Sequence, residues 1–271
     1  MPELPEVEVT KRGVAPHVTG ARIEQVVMGK PLRWPLGVSP EELAGRHVRE
    51  VHRRGKYLLF ELDKGWLMLH LGMSGTLRWV SRSEPLQKHE HVVLHFSAGD
   101  LRLHDPRRFG AVIHAHSLSD PLPTKLLSKL GVEPLMGWAD EPALVSALKS
   151  RRTPIKQVLL GGDWVVGVGN IYASEVLFLS GIRPTTSAAR LSRPRIRRLL
   201  QAIQTVLHQA VALGGSSIQD FVDSDGHSGE FQNQARVYGR AGQACHDCGT
   251  EIRRLVQGQR ATYYCPQCQK P

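Results

Sequence analysis

The four cysteines constrain the fold of this chain more than any other feature of its sequence. They lie in the last 27 positions as two pairs, Cys245-x-x-Cys248 and Cys265-x-x-Cys268, with sixteen residues between the pairs. Two thiolate pairs at this spacing are typical of tetrahedral zinc, with a tight turn at each pair and a two-stranded hairpin between the turns. Because four ligands leave no open coordination position, we expect one structural zinc ion. Two disulfides or free thiols are the alternative.

The charge of the chain favours a polyanionic partner. Lys and Arg number 35 against 25 Asp and Glu, which gives a formal charge of +10 and a pI of about 9.8. Nucleic acid and an anionic membrane surface both fit this charge, and an ordinary basic protein fits it equally well. The sequence contains no apolar run long enough to span a bilayer and no signal-peptide pattern at its start. We therefore expect a soluble cytoplasmic protein that binds no membrane.

Hydrophobic periodicity divides the chain into a strand-rich part and a helical part. Residues 3–18 are predicted to form a helix. Short apolar stretches separated by turns then predict a β-sandwich or barrel, with turns at 63–65 and 98–100 and strands at residues 22–28, 48–51, 57–62, 66–71, 92–96 and 111–116. Residues 120–142 contain four prolines that resist regular structure and indicate a linker flanking one short helix.

The period becomes helical beyond the linker. Helices are predicted at residues 155–160, 170–179 and 192–213, and Gly214-Gly215 ends the last one. Residues 223–231 are predicted to form a mobile loop outside the core. The chain is thus an α+β protein with a β-sandwich domain at 1–119, a linker at 120–142, a helical domain at 143–226, and the rest of the loop with the zinc finger at 227–271.

Two glycine-containing turns carry candidate binding residues. Residues 165–170 form a glycine turn that leads into a helix beginning at Asn170, and backbone amides at such a helix start bind phosphate. The alternative is that the glycines only let two helices pack closely. In residues 105–110 two arginines and Phe109 lie on a turn between strands, and Phe109 or Met73 could wedge into a base stack. Taken alone, Phe109 and Met73 fit core positions better.

The amino terminus offers a candidate nucleophile. Loss of Met1 would free the secondary amine of Pro2 beside two carboxylates, Glu3 and Glu6. A terminal amine has a pKa of about 7.7–8.0, far below that of lysine, so part of it is unprotonated at neutral pH. A simple helix start is the alternative. Near the other terminus, Arg260 precedes an aromatic pair on the predicted hairpin, where it could reach a phosphate.

Several stretches of the chain, in order, resemble motifs of the formamidopyrimidine-DNA glycosylase family. They extend over nearly the whole chain and are residues 2–8, 54–56, 70–75, 105–110, 167–175 and 237–240, together with the four cysteines. The resemblance implies an amino-terminal β-sandwich, a helix-two-turn-helix DNA-binding domain and a carboxy-terminal zinc finger. It also implies a bacterial, nucleoid-associated monomer whose partner is double-stranded DNA containing oxidised bases or abasic sites.

The resemblance implies a reaction as well. An oxidised purine, such as 8-oxoguanine or a formamidopyrimidine, is flipped out of the duplex and excised. In this scheme Pro2 attacks C1′ of the deoxyribose and displaces the base to give a Schiff base, while Glu3 protonates the ring oxygen as general acid. The strand is then cleaved at the abasic site by β,δ-elimination.

The matching motifs assign further residues to DNA. The residues that hold phosphates around the flipped nucleotide are Lys56, His70, Asn170, Tyr238 and Arg260. The catalytic residues in this scheme are Pro2, Glu3, Lys56 and Arg260. The residues that fill the void in the base stack are Met73, Arg108 and Phe109, with Arg108 facing the cytosine opposite the lesion. Glu6 matches a carboxylate of the substrate pocket, and residues 216–231 match the loop that closes over the flipped base.

Two other functions remain open at this point. An endonuclease VIII-like glycosylase would use the same amine on oxidised pyrimidines, although Leu4 and the 105–109 motif argue against it. A zinc-finger protein that binds damaged DNA without catalysis would lack the nucleophile. The chain departs from the family pattern at residues 161–164, where Gly161 and Gly162 replace a polar pair and predict a looser helix end.

Overall fold

The computed structural model describes residues 1–216 and 223–271 and divides the chain into two compact units. The first unit consists of Met1–Lys129 and Val211–Gln232, and the second of Leu130–Ala210 and Asn233–Pro271. The predicted α+β class is confirmed, whereas the domain boundaries proposed from the sequence stay predictions. Residues 217–222, within the stretch assigned to a loop that closes over a base, lie outside the described residues.

The first unit begins with helix α1, Leu4–Val18, close to the predicted 3–18. Glu3 is its N-cap residue, and Pro5 fits the first turn, where a backbone N–H is not needed for helical pairing. The apolar side of α1 enters the core through Val7, Val14 and Val18.

Eight strands follow and form two antiparallel four-stranded sheets. They are β1 (Ile23–Met28), β2 (Val48–Arg54), β3 (Tyr57–Leu62), β4 (Trp66–His70), β5 (Thr76–Val80), β6 (Glu90–Phe96), β7 (Gly99–His104) and β8 (Ala111–Ala115). One sheet has the order β1-β6-β7-β5 and the other β2-β3-β4-β8. Alternate apolar residues of both sheets share one core, so the predicted sandwich is confirmed.

The sequence analysis missed β5 and β7. In β7 the apolar residues Leu101 and Leu103 alternate with Asp100 and Arg102, which are buried as an ion pair with a nitrogen-to-oxygen distance of 2.8 Å, although their charges indicate a solvent-facing side. The predicted turn at 98–100 is wrong, because the turn lies at residues 97–98 and Gly99 already pairs with Phe96 in the ladder.

The prolines of the predicted linker start helices rather than prevent them. Pro121 begins helix α2, Pro121–Leu127, and Pro142 lies in the first turn of helix α3, Glu141–Lys149. Proline is tolerated there because its missing N–H would have no helical partner. Helix α2 covers the outer face of the second sheet, where Leu122 and Leu126 pack against a cluster that contains Leu59, Met68, Ala111 and Ile113.

The remaining helices agree with the prediction. They are α4 (Ile155–Gly161), α5 (Asn170–Leu179) and α6 (Arg193–Ala212). The helical period predicts an apolar face on α6, and its residues are all buried, namely Ile196, Leu199, Leu200, Ile203, Val206, Leu207 and Ala210. The expectation of a looser end after α4 is wrong. Gly162 ends the helix in the left-handed conformation with φ 72°, and Arg151 binds the Asp163 carboxylate at 2.8 and 2.9 Å.

The second unit ends in a hairpin of strands β9 (Arg253–Gln257) and β10 (Arg260–Tyr264). Gly258 and Gln259 both have positive φ, 56° and 60°, as a two-residue turn that matches strand twist requires. Arg260 is therefore the first residue after the turn, paired with Gln257. Within the described residues, no helix has both the length and the apolar character needed to cross a bilayer.

Residues 223–231 were predicted to lie outside the core, but part of this stretch is buried. Ser224 is fully buried and Phe231 is 4% exposed. Gly13 of α1 makes room for Ser224, since a Cβ added to Gly13 would lie 1.8 Å from the Ser224 hydroxyl oxygen. The Ser224 carbonyl accepts a hydrogen bond from the Trp79 amide at 3.1 Å.

Candidate functional site

The amino terminus is buried at the start of α1. Pro2 is buried, and Glu3 and Glu6 are each 2% exposed. One oxygen of the Glu6 carboxylate accepts a hydrogen bond from the Glu3 amide at 2.8 Å, and the other accepts one from the Ser216 amide at 2.8 Å. Glu6 therefore fixes the backbone next to Pro2 and ties it to the chain at Ser216.

The surroundings of the terminal amine favour its neutral form. Burial lowers the pKa of this amine, carried by Met1 in the full sequence, below its ordinary value of 8.0, because the charged form loses hydration. Glu3 and Glu6 oppose the shift, whereas Lys56 and Arg107 add to it. A lowered pKa increases the unprotonated fraction at neutral pH, and only the unprotonated amine is a nucleophile.

A tight turn between β2 and β3 presents Lys56. The Arg53 guanidinium donates to the Gly55 carbonyl of this turn at 3.0 Å and to the Glu8 carboxylate at 2.8 Å. Burial alone would raise the pKa of Glu8, but the hydrogen bonds from Arg53 and Arg12 outweigh it and hold the pKa below its ordinary value. Glu8 and Arg53 thus support Lys56. The sequence analysis missed both, because no local spacing links residue 8 to residue 53.

His70 ends β4, and its ring is held in the neutral form with Nε2 protonated. Its Nδ1 accepts a hydrogen bond from the Gly72 amide at 3.0 Å, which leaves Nε2 as the protonated nitrogen of the neutral ring. Burial, together with the charges of Lys56 and Arg33, lowers the pKa of His70 from 6.5 to about 4. At pH 7 the ring can donate to a phosphate oxygen but brings no positive charge.

The two turns that carry the predicted void-filling residues, 71–75 and 105–110, lie against each other. A Cβ added to Gly72 would come within 2.5 Å of the Gly110 amide nitrogen, so the backbones are in direct contact. Phe109 is 43% exposed and Met73 is half-buried. The alternative that these two side chains belong to the core is therefore wrong.

The arginine beside Phe109 is Arg107, which the sequence analysis did not select. The Arg107 guanidinium carbon lies 4.9 Å from the centre of the Phe109 ring. Arg108 instead donates to the Pro31 carbonyl at 3.4 Å. Two adjacent arginines in the motif do not reveal which one folds over the ring, so only the structure distinguishes them.

In the second unit, the predicted glycine turn leads into α5 at Asn170. The Asn170 side-chain amide donates to the Ala261 carbonyl at 3.0 Å, next to Arg260. Lys156 is fully buried and donates to the same carbonyl at 2.9 Å. Asn170 is thus hydrogen-bonded to the backbone of β10 at the residue that follows the exposed Arg260. The sequence analysis missed Lys156, whose charge in a predicted helix is usually solvent-exposed.

Tyr238 is positioned by a buried carboxylate, Glu175 of α5. Glu175 is 3% exposed and accepts hydrogen bonds from the backbone amides of Arg236, Val237 and Tyr238 at 2.8, 3.0 and 2.8 Å. The Tyr238 ring also meets the Tyr263 ring at 5.1 Å between centroids. Glu175 was missed as well, although a single glutamate in an otherwise apolar helix is a detectable signal.

Replacement of Glu175 by glutamine should destabilise the protein by about 1–3 kcal/mol, because a side-chain amino group would then face a backbone N–H that needs an acceptor. Urea unfolding at pH 7 measures the change. Glu141→Gln is the matched control in the same unit, since Glu141 binds the exposed Arg197 and such pairs contribute at most about 1 kcal/mol. Equal effects of the two substitutions on stability would contradict the role of Glu175 as the acceptor of these backbone hydrogen bonds.

The four cysteine sulfurs form a set that fits one zinc ion. All four lie within 4.8 Å of one another, with 3.9 Å between Cys245 and Cys268 and 3.5 Å between Cys248 and Cys265. Tetrahedral zinc with Zn–S bonds of about 2.3 Å separates its sulfurs by roughly 3.8 Å. None of these four cysteines forms a disulfide, so the disulfide alternative is wrong.

Comparison with known families matches three consecutive segments. Residues 1–112 match the formamidopyrimidine-DNA glycosylase N-terminal domain, residues 130–222 the formamidopyrimidine-DNA glycosylase H2TH domain, and residues 242–271 a zinc finger found in FPG and IleRS. A Variovorax paradoxus protein named formamidopyrimidine-DNA glycosylase is 58% identical over 270 residues, with 100% of both chains covered. One from Albidiferax ferrireducens shows the same identity and coverage.

Solved structures give the same result. A Lactococcus lactis FPG mutant in complex with a Fapy-dG containing DNA aligns with a TM-score of 0.92 at 36% identity and 100% coverage of both chains. The Lactococcus lactis Fpg in complex with an abasic site containing DNA aligns with a TM-score of 0.90, also at 36% identity, over 99% of this chain and 100% of that one.

Proposed function

The chain belongs to the formamidopyrimidine-DNA glycosylase family, and on this premise we propose that the Pro2 amine, freed by loss of Met1, is the nucleophile of a base excision repair enzyme. The enzyme is a DNA glycosylase with abasic-site lyase activity that removes oxidised purines from duplex DNA. The observation that carries the proposal is the buried position of Pro2, next to the buried Glu3 carboxylate and on a backbone that Glu6 fixes by its hydrogen bond from the Glu3 amide.

The first step forms a carbon–nitrogen bond to deoxyribose. The neutral Pro2 nitrogen attacks C1′ while Glu3 protonates the ring oxygen, and the damaged base leaves with the glycosidic electron pair. After the amine proton is lost, the bond between C1′ and the ring oxygen breaks, the proton from Glu3 stays on that oxygen, and the nitrogen lone pair forms the iminium of the opened sugar. Because proline is a secondary amine, this iminium keeps its positive charge at any pH.

The second step cleaves the strand. The iminium acidifies the C2′ proton, so loss of that proton expels the 3′ phosphate by β-elimination. A further δ-elimination expels the 5′ phosphate and leaves a gap with phosphate ends. Lys56 and Arg260 are proposed to hold the phosphates of the reacting nucleotide during these steps.

Each unit supplies its own proposed DNA contacts. The first unit offers Lys56 and His70 to phosphates, and the second offers Asn170, Tyr238 and Arg260. Met73 and Phe109 are proposed to fill the void in the base stack. We assign the arginine that faces the opposite cytosine to Arg107 rather than Arg108, and the contact of Arg107 with the Phe109 ring supports this assignment. We further propose that the enzyme works as a monomer in the bacterial cytoplasm at the nucleoid.

Borohydride trapping tests the nucleophile directly. Reduction in the presence of abasic-site DNA should yield a covalent protein–DNA adduct whose peptide map places the sugar on Pro2. A non-catalytic DNA-binding protein would give no adduct. Turnover on duplexes with 8-oxoguanine and with thymine glycol separates purine from pyrimidine specificity, and faster excision of thymine glycol would contradict the proposed substrate.

Salt dependence of DNA binding should distinguish charged from neutral phosphate contacts. Each cation that neutralises a phosphate contributes about −0.9 to the slope of log affinity against log salt. Lys56→Gln and Arg260→Gln should each flatten the slope by about this amount. His70→Gln and Tyr238→Phe are the matched neutral controls. They should weaken binding at pH 7 without changing the slope, because the low pKa of His70, about 4, keeps its ring uncharged.

A slope unchanged in both cation variants would contradict their contact with phosphate. Fluorescence anisotropy with a duplex that carries a non-cleavable abasic analogue, repeated between about 50 and 200 mM salt, provides the measurement.

A further inference from the structure

A fully buried carboxylate joins the two turns at 71–75 and 105–110. Asp105 has 0% of its surface exposed. One carboxylate oxygen accepts a hydrogen bond from the Ser74 hydroxyl at 3.1 Å, and the other accepts one from the Gly110 amide at 2.7 Å. Since Ser74 belongs to the first turn and Gly110 ends the second, a single side chain links the two.

The backbone of Asp105 adds two more restraints. Its amide donates to the His89 carbonyl at 2.9 Å, and its carbonyl accepts from the Arg108 amide at 3.1 Å. Arg108 has φ 56°, a left-handed conformation that is strained for a residue with a side chain. Such strain persists only where the surroundings enforce it. The bonds of Asp105 provide that enforcement.

The backbone of the second turn is closely packed at Gly110. A Cβ added to Gly110 would lie 2.9 Å from the Asp105 carboxylate and 3.0 Å from the His70 carbonyl. Phe109, in contrast, is 43% exposed, and the Arg107 guanidinium of the same turn lies 4.9 Å from the centre of its ring. The position of its ring relative to Met73 therefore depends on the backbone of the two turns.

Burial of a carboxylate is costly unless hydrogen bonds compensate for lost hydration. Here both carboxylate oxygens are used to bind the two turns. We propose that Asp105 is a positioning residue whose carboxylate locks the two turns in one register and so sets how strongly the enzyme discriminates the base opposite the lesion. The inference rests on the proposed function, in which Arg107 of the second turn faces that base.

The test compares three variants by the ratio of single-turnover excision rates for 8-oxoguanine opposite cytosine and opposite adenine. Asp105→Ala should lower this ratio about tenfold or more, because a well-placed arginine–base contact contributes a factor of this size. Ser74→Ala removes one link and should lower the ratio less. Asp105→Asn should keep it, since its oxygen can accept from Gly110 while its amino group donates to the Ser74 oxygen.

Borohydride trapping on a single-stranded abasic oligonucleotide separates positioning from general damage, since that substrate has no opposite base. All three variants should trap at the wild-type rate. An unchanged cytosine-to-adenine ratio in Asp105→Ala, or a parallel loss of trapping, would overturn the inference. If Asp105→Ala does not fold, an unchanged ratio in Ser74→Ala overturns it instead. Failure of the wild-type enzyme to trap would refute the proposed nucleophile, not the role of Asp105.

Discussion

Pro2→Gly should lower both base excision and the rate of borohydride trapping at least about 100-fold, while affinity for lesion-containing duplex is retained. The proline ring restricts rotation about the first residue and so orients the nitrogen. Glycine has the most backbone freedom of all residues, and misplacement of a nucleophile by about 1 Å costs about 100-fold in rate. A primary amine also gives an imine that can lose its proton, whereas the iminium of proline keeps its charge.

Single-turnover excision of 8-oxoguanine, together with binding to a non-cleavable analogue, separates chemistry from affinity. Pro16→Gly is the matched control, because Pro16 is exposed on the same helix and does not line the buried amino terminus. It should retain excision. Full activity in Pro2→Gly would refute the proposed nucleophile, and so would a native mass that shows Met1 still attached to the active enzyme.

Features that depend on local sequence could be predicted. The apolar face of α6 follows directly from the 3.6-residue period and is buried as expected. The start of α5 at Asn170 follows from the glycine turn before it, and the zinc site from the spacing of the cysteines. In each case the residues that determine the feature lie close together in the sequence, within about one helix or one hairpin.

Features that depend on tertiary partners could not be predicted. The burial of Asp100 and Arg102 in β7 could not be predicted, because only their ion pair makes these buried positions tolerable. The supports of the site, such as Arg53 beneath the Lys56 turn and Lys156 beneath the Arg260 strand, act on residues far away in sequence. The motifs thus supply the proposed reacting and binding groups but not the residues that hold them in place.

The zinc finger depends on its metal more than on its core. Strands β9 and β10 have five residues each, and a two-stranded hairpin alone is marginally stable in water. Its apolar cluster is small and includes the ligands themselves, namely Cys245 and Cys265 with Phe178, Val237 and Ile252. In zinc-finger peptides the metal supplies about 10–16 kcal/mol of apparent binding free energy, which is folding free energy. The same hairpin carries Arg260.

Cys265→Ser, or removal of zinc with a chelator, should therefore lower affinity for lesion-containing duplex about 100-fold or more. The reason is that Arg260 and Tyr238 lose their positions together, and a hydrogen bond to a charged group contributes about 1.5–3 kcal/mol. Zinc content measured by colorimetric release should fall from one ion per chain to none.

Gln267→Ser is the matched control, because Gln267 is exposed between the last two ligands and should keep both zinc and affinity. Cobalt added to the chelated protein should restore binding with the spectrum of a tetrahedral thiolate site. A metal-free protein that binds DNA as tightly as the zinc-loaded one would show that the hairpin is held by its contacts with α4 and α5 alone.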